Sequence, residues 1–169
     1  MTNTAPFQWL EPRNDWPFGP TAKPPPRTID YWRHRGAHEQ LAPLIGLFLM
    51  RLHLLGHSPM ICQLHRTPEQ QAAMYAQGRT TPGRIVTDAQ PWQSAHCVTI
   101  NGQPAAMAFD VCILVGNTAS WEMSAATAQF WSDARDTGNM LGLVWGATFN
   151  KPPRDFGHFQ LSTFKAIKP

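Results

Sequence analysis

Apolar residues recur at helical spacing in the part of the chain that follows residue 28. The pattern predicts helix from Ile29 to Leu55, and Pro43 interrupts it where the first turn of a second helix would lie. One stripe repeats at i, i+3, i+4, i+7 and i+10, and it consists of Ile45, Phe48, Leu49, Leu52 and Leu55. Gly56 follows as a helix stop. We therefore expect two helices, the second of which buries one face.

Short strands and helix signals alternate over the next forty residues. Pro59 to His65 is typical of a short strand. The run Thr67-Pro68-Glu69-Gln70 combines a Thr N-cap, Pro at the first helical position and Gln three residues after the cap, so a helix is predicted to begin there and to end at Gly78. The polar segment from Arg79 to Gln93 is expected to lie on the surface or to line a cleft.

The second half of the chain is mainly strand-like. The predicted elements are a strand from Val98 to Val115 interrupted at Asn101-Gly102, a helix from Trp121 to Thr137 ending at Gly138, and strands at Leu143 to Phe149 and Gly157 to Phe164. Asn-Gly between apolar runs is a strong hairpin signal. The whole pattern predicts an α+β fold in which helices flank a small antiparallel sheet.

Composition indicates one globular unit preceded by an unusual segment. The chain has 169 residues, of which 43% are hydrophobic and 15% charged, and these values exclude a disordered or coiled-coil protein. Seven of the sixteen prolines precede Thr28, among several aromatic residues. We therefore predict a Pro-rich N-terminal arm over residues 1–28, either laid over the domain or a free tail, and a single domain over residues 29–169.

Charge and cysteine usage narrow the partners and the compartment. The net charge of +3 comes from scattered basic residues, which favours an anionic polymer such as cell wall over nucleic acid. The most apolar stretch, from Leu44 to Leu55, is shorter than the roughly 20 residues of a membrane span. Three cysteines cannot all pair within one chain, and no secretory signal pattern opens it, so we expect synthesis in the cytoplasm.

Seven histidines are candidates for metal binding. His34 and His38, like His53 and His57, are four residues apart but lack the Glu of an HExxH motif, so we expect structural or surface roles. The other candidates are His96, Asp110 and His158. Two imidazoles and one carboxylate can hold a catalytic zinc, and Asp155 is placed to take a proton from its water. On spacing alone, a loop histidine and a turn carboxylate explain the same residues at least as well.

Four short motifs give the chain a family resemblance. They are Ser94-Ala95-His96, Ala106-Met107-Ala108-Phe109-Asp110, Trp145-Gly146, and Asp155-Phe156-Gly157-His158-Phe159-Gln160. In this order they resemble the zinc-binding signatures of peptidase family M15. The stretch from Arg66 to Thr80 is similar to the one that precedes the metal motif in bacteriophage members of that family.

The resemblance implies a hedgehog/DD-peptidase-like fold and a set of roles. His96, Asp110 and His158 would bind zinc, Asp155 would be the general base, and Arg66 would polarise the scissile carbonyl. The implied function is a zinc peptidase that cleaves peptidoglycan stem peptides, with the L-alanyl-D-glutamate endopeptidase of the phage endolysin type as the favoured activity. Two alternatives stay open, a D-alanyl-D-alanine carboxypeptidase and a non-catalytic, zinc-stabilised wall-binding module. We expect a monomer without a nucleic-acid or membrane partner, which reaches the wall by phage-type release or as a virion component.

One departure from the family pattern concerns the spacing of the ligands. In the family, His and Asp are usually seven positions apart, whereas Asp110 follows His96 by fourteen. About seven residues, from Cys97 to Gln103, are inserted, and Asn101-Gly102 predicts that they form a small hairpin. We expect this hairpin to be dispensable for metal binding.

The insertion raises a question of register. A regular two-residue turn would place His96 opposite Met107, and Asp110 would then face the other side of the sheet because side chains alternate. Both ligands can reach one ion only if the register shifts by one residue. We expect that shift at Pro104, which cannot donate a ladder hydrogen bond.

A few other residues have less specific interpretations. Cys97 is expected to be a buried thiol rather than a ligand, and Cys62 and Cys112 are expected in the core. Trp145 fits the core and the substrate cleft equally well. Ser94 is interpreted as a loop hydroxyl that supports the site rather than as a nucleophile.

Overall fold

Helices flank a five-stranded antiparallel sheet in this protein, and two further strands form a separate hairpin. The computed structural model describes residues 29–116, 118–150 and 154–166, and the predicted arm of residues 1–28 lies outside them. The helices are α1 (Ile29–His34), α2 (Leu41–Leu54), α3 (Pro68–Ala76) and α4 (Ala128–Met140). The strands are β1 (Pro59–Gln63), β2 (Thr99–Ile100), β3 (Gln103–Pro104), β4 (Ala108–Val115), β5 (Thr118–Ser120), β6 (Leu143–Trp145) and β7 (His158–Leu161). The predicted α+β class with a small antiparallel sheet is confirmed.

Strand β4 is the centre of the main sheet. The order is β1-β4-β7-β6, with antiparallel pairing throughout. One edge of β4 pairs with β1, and the other is shared between β7, which pairs with residues 108–110, and β5, which pairs with residues 113–115. This central position explains why β4 has buried residues on both of its faces.

The core lies between α2, α4 and one face of this sheet. The predicted stripe of α2 is buried from Ile45 to Leu52, whereas Leu55 lies beyond the helix end and is 46% exposed. Phe48 packs on Phe109 and Phe159, with ring centroids 5.2 and 4.8 Å away. The burial of these three rings holds β4 and β7 against the helix. Each ring contributes on the order of 2 to 3 kcal/mol of hydrophobic free energy to folding.

Helix α3 begins as its sequence predicts. Thr67 Oγ1 accepts a hydrogen bond from the Gln70 amide, the Gln70 side chain accepts one from the Thr67 amide, and Pro68 is the first helical residue. The cap satisfies two amides that would otherwise lack partners. The short-range signal was therefore sufficient to define this helix start.

The bounds predicted for the last helix are wrong at both ends. The prediction of Trp121 to Thr137 fails because Thr127 Oγ1 donates to the carbonyl of Glu122 and holds an irregular turn, so α4 begins only at Ala128. Gly138 lies inside the helix rather than ending it. A Cβ at that position would lie 2.6 Å from the Phe159 ring, so glycine is there for close packing of helix on sheet.

The predicted hairpin exists, but its irregularity lies elsewhere than expected. Thr99 pairs with Pro104 and Ile100 with Gln103, a regular two-residue turn with Asn101 at φ 51°. The expectation of a bulge at Pro104 is therefore wrong. The shift occurs before β2, where Ala95–Cys97 forms a 3₁₀ turn and the Met107 amide donates to the Ala95 carbonyl (2.8 Å).

Among the residues that the structure describes, no helix is both long enough and apolar enough to cross a membrane.

Candidate metal centre

Three polar atoms from distant parts of the chain converge at one point. His96 Nε2, His158 Nδ1 and Asp110 Oδ1 are each 3.2 Å from the other two. His96 and His158 are 3% and 8% exposed, so little solvent reaches them. The structure thus brings together the three residues that the sequence singled out as ligands.

Local backbone structure explains the convergence. Asp110 and His158 are direct partners across the β4–β7 pair, so their side chains leave the same face of the sheet. His96 comes from the 3₁₀ turn, in which Ser94 Oγ accepts a hydrogen bond from the His96 amide. The turn takes His96 out of strand alternation, which resolves the register problem. Ser94 supports the site through the backbone, as its interpretation predicted.

Each imidazole is oriented by an acceptor on its far side. His96 Nδ1 lies 2.7 Å from the carbonyl oxygen of Leu64, and His158 Nε2 lies 2.9 Å from Gln160 Oε1. Because both oxygens can only accept, each ring donates its distal N–H and turns the lone pair of its other nitrogen towards Asp110. This is the arrangement that metal-binding histidines adopt in proteins.

The donor set fits a divalent metal ion. Two imidazole lone pairs and a carboxylate cannot satisfy one another by hydrogen bonds without extra protons, since all three are acceptors. Ligand atoms bound at about 2.0 Å in a tetrahedral site are about 3.3 Å apart, close to the separations found here. The buried group of His96, Asp110 and His158 could therefore hold a metal ion with one position left open.

In the metal-free site, electrostatic interactions lower the pKa of Asp110 and raise that of His158. Burial alone would raise the pKa of Asp110, but the charges and hydrogen bonds of His96 and His158 outweigh it and hold that pKa well below its ordinary value. Burial opposes protonation of His158, yet the hydrogen bond and charge of Asp110 raise its pKa. A proton can thus occupy the space between the ligands when no metal does.

Arg66 lies in the same site behind the carboxylate. It is 7% exposed, and its Nη2 is 3.6 Å from Asp110 Oδ2. Its Nη1 donates to Oε1 of Gln71, a fully buried residue whose Nε2 donates to Thr87 Oγ1 and the Ala89 carbonyl. Gln71 lies in the Arg66–Thr80 stretch, but the sequence assigns it no role. Its burial and its hydrogen bond to Arg66 are visible only in the structure.

Asp155 lies at the open side of the site. Its Oδ1 accepts a hydrogen bond from the Gly157 amide at 3.1 Å, and no described residue donates to Oδ2. The side chain is open to solvent, yet the surrounding cleft displaces enough water that desolvation, with the charge of Asp110, raises its pKa. A Cβ on Gly146 would lie 2.5 Å from the Asp155 carbonyl oxygen and 2.8 Å from His158 Cβ. The Trp-Gly motif therefore keeps this corner compact.

A cleft of about 890 Å³ surrounds these groups. Arg66, His96, Asp110, Asp155 and His158 all line it. The opposite wall comes from the segment between Arg79 and Gln93, as its polar sequence predicts. The volume is ample for several residues of an extended peptide.

The remaining tryptophan, cysteine and histidine candidates do not line the cleft. Trp145 packs on Phe156 and Phe159, and its Nε1 donates to the Phe156 carbonyl, so the structure places it with the core. Cys62 and Cys112 are buried as predicted, whereas Cys97 is only half-buried. Within the described ranges, neither of the paired-histidine sets joins a metal-binding group.

Comparison with known proteins agrees with this fold. No family model matches the sequence. The structure is similar to the crystal structure of the Serratia marcescens L-Ala D-Glu endopeptidase ChiX, with a TM-score of 0.51 and 24% sequence identity. The match covers 78% of this chain and 85% of that chain. The two proteins therefore share a fold.

Proposed function

We propose that the protein is a zinc-dependent peptidase that hydrolyses peptidoglycan stem peptides, with the bond between L-alanine and D-glutamate as its target. The observation that carries this proposal is the convergence of His96, Asp110 and His158 inside a peptide-sized cleft that also holds Asp155 and Arg66. A purely structural metal needs four closed ligands and no free carboxylate beside them.

The chemistry of the donor set favours zinc. Two nitrogen donors and one oxygen donor suit Zn²⁺, and the oriented imidazoles provide the neutral ligands that it requires. Bound zinc would supply a Lewis acid that lowers the pKa of water to about 7. His96, Asp110 and His158 would hold it, and the cleft would exclude competing solvent.

The roles of Asp155 and Arg66 follow from their positions. Asp155 takes a proton on Oδ2 as water attacks the peptide carbonyl, and it returns that proton to the leaving amine. In the metal-free site, burial and the charge of Asp110 raise the pKa of Asp155, which favours proton uptake by this carboxylate. Arg66 is held by Gln71 and offers positive charge to the developing oxyanion.

The choice of bond rests on two similarities. The fold resembles that of a protein described as an L-Ala D-Glu endopeptidase, and the segment from Arg66 to Thr80 resembles phage endolysins. We accordingly propose that the protein acts on the cell wall after phage-type release or as part of a virion. Membership of the M15 peptidases is part of the same proposal.

Product analysis tests the function directly. Purified peptidoglycan is incubated with zinc-loaded protein, and the released fragments are identified by mass spectrometry. A new amino terminus on D-glutamate is the expected product, whereas free D-alanine would show a carboxypeptidase. Binding to the wall without any new terminus would show a non-catalytic module. Asp155→Asn is the matched control, because it keeps the side-chain shape and the metal ligands.

A further inference from the structure

Arg79 is a rigidly held cation in the wall of the cleft, opposite to the elements that hold the metal site. Its guanidinium lies over the Tyr75 ring, 4.1 Å from the centroid. Nη1 donates to the carbonyl oxygens of Tyr75 (2.8 Å) and Thr87 (3.0 Å), and Nη2 donates to Asp88 Oδ1. These contacts fix the side chain between helix α3 and the 79–93 segment.

The hydrogen bonds leave part of the guanidinium without a protein partner. A guanidinium carries five N–H donors, and the contacts of Arg79 use two on Nη1 and one on Nη2. In the described part of the chain, no acceptor is found for Nε or for the second N–H of Nη2. Nε and Nη2 are neighbouring nitrogens on one edge of the guanidinium, and arginine commonly binds a carboxylate through this pair of nitrogens.

Arg79 is also accessible. Its side chain is 24% exposed, and both Arg79 and Asp88 line the cleft. Asp88 is 49% exposed, so its ion pair orients Arg79 without neutralising it as a buried pair would.

We propose that Arg79 is a substrate-binding residue that recognises a carboxylate of the stem peptide. The inference rests on the proposed function and specifies the substrate as an acidic peptide. Besides the carboxylate at its C-terminus, a stem peptide offers two such groups, the α-carboxylate of γ-linked D-glutamate and the side-chain carboxylate of a diaminopimelate residue. Recognition would position the peptide bond over the metal site, since both groups line one cleft.

Matched substrates test the proposal. Three synthetic stem tetrapeptides, each amidated at its C-terminus, are compared as substrates of the zinc-loaded full chain: one with both remaining carboxylates free, one also amidated at D-glutamate and one also amidated at diaminopimelate. One amidation should lower kcat/KM by about 10- to 100-fold, the value of a lost pair of charge-assisted hydrogen bonds, mainly through KM. The peptide affected identifies the carboxylate.

Variants then assign the discrimination to the residue. Arg79→Gln should reduce kcat/KM for the free-carboxylate peptide to the level of the amidated one and should leave the amidated one nearly unchanged. Arg79→Lys keeps the charge but loses the paired donors, and it should lose most of the discrimination. Arg84→Gln is the matched control, because Arg84 is exposed on the same segment and does not line the cleft. Zinc content and melting temperature verify that each variant folds.

Two results would overturn the proposal. The first is that the wild-type protein hydrolyses all three peptides with equal kcat/KM, a result that does not depend on any variant. The other is Arg79→Gln protein that folds and still discriminates. If the wild type hydrolyses none of the peptides, the proposed function fails, but calorimetric binding of the three peptides still decides the role of Arg79. Equal affinities would then refute it.

Discussion

The two faces of the β4–β7 pair differ in chemistry, although they belong to the same hydrogen-bonded ladder: one face is apolar and the other is polar. On one face Phe109 and Phe159 are paired residues with stacked rings 5.7 Å apart, and both are fully buried. On the other face the next pair, Asp110 and His158, places acceptor atoms 3.2 Å apart. Neighbouring positions on one strand therefore serve stability and chemistry separately.

The two faces differ in how strictly their function depends on the identity of each side chain. The phenylalanine face is stabilised by apolar area, which many side-chain combinations could supply. The site face gains little stability from its charges, because desolvation offsets their attraction, and it depends on the placement of single atoms. We expect substitutions on the first face to change the free energy of unfolding and substitutions on the second to change metal binding or turnover.

The largest expected effect is on metal binding. Asp110→Ala should abolish stoichiometric zinc binding, and so should His96→Ala and His158→Ala, because each removes one of the three candidate ligands that converge in the described part of the chain. Elemental analysis after dialysis measures the zinc content. Asp133→Ala is the control, because Asp133 contacts His57 at 2.7 Å outside the cleft and should leave zinc unchanged. Full zinc content in the ligand variants would show that the ion binds elsewhere.

On the opposite face we expect a loss of stability. Phe159→Ala should lower the free energy of unfolding by about 3 to 5 kcal/mol, the usual cost of a large cavity in a core. Denaturation with urea measures this for the zinc-free protein, so that metal binding does not contribute. Gln160→Ala, one residue further along β7, should cost far less, and equal losses for the two variants would refute the division between faces.

The third effect concerns turnover alone. Asp155→Asn should keep the fold and the zinc but lose hydrolysis by at least about 100-fold, as expected for a missing general base. In the wild type, kcat/KM should fall as acid protonates Asp155, because the base must be deprotonated. Near wild-type activity in the variant would exclude Asp155 as the base.

A smaller effect is expected behind the metal. Gln160→Leu removes the acceptor that orients His158, so zinc affinity should fall by about 10- to 100-fold in a chelator competition. Gln160→Glu keeps an acceptor at that position and should retain most of the affinity. If the two variants bind zinc equally well, the orientation of His158 does not depend on this hydrogen bond.

The smallest effect is a pH dependence of stability. In the zinc-free protein the pKa of His158 is raised, so its stabilising contact is fully present below about pH 6.5 and is lost as the pH rises through the folded-state pKa. Asp110, whose pKa is lowered, contributes above about pH 4 and loses that contribution only as the pH falls through its folded-state pKa. The gap in melting temperature between zinc-bound and zinc-free protein should therefore widen from pH 6 to pH 8. A constant gap would contradict proton–metal competition at His158.

Local features of this protein were readable from its sequence. The cap of α3, the buried stripe of α2 and the two-residue turn at Asn101-Gly102 depend on residues within a few positions of one another. The cap and the turn are confirmed, and the stripe is confirmed from Ile45 to Leu52. The three candidate ligands were also identified, because their short motifs resemble a known pattern. The cap, the stripe and the turn thus have local physical causes, whereas the ligand assignment depends on the resemblance.

Tertiary structure alone decided the features that depend on contacts between distant segments. Gly138 looks like a helix end in the sequence, but the Phe159 ring, which packs against it, makes it an internal residue. The register shift that joins His96 to Asp110 lies in the 3₁₀ turn at Ala95–Cys97, where the Met107 amide bonds to Ala95. Packing and long-range hydrogen bonds decide the local conformation at these residues. The reason is that the intrinsic preference for one backbone conformation over another is smaller there than the free energy of a single tertiary contact.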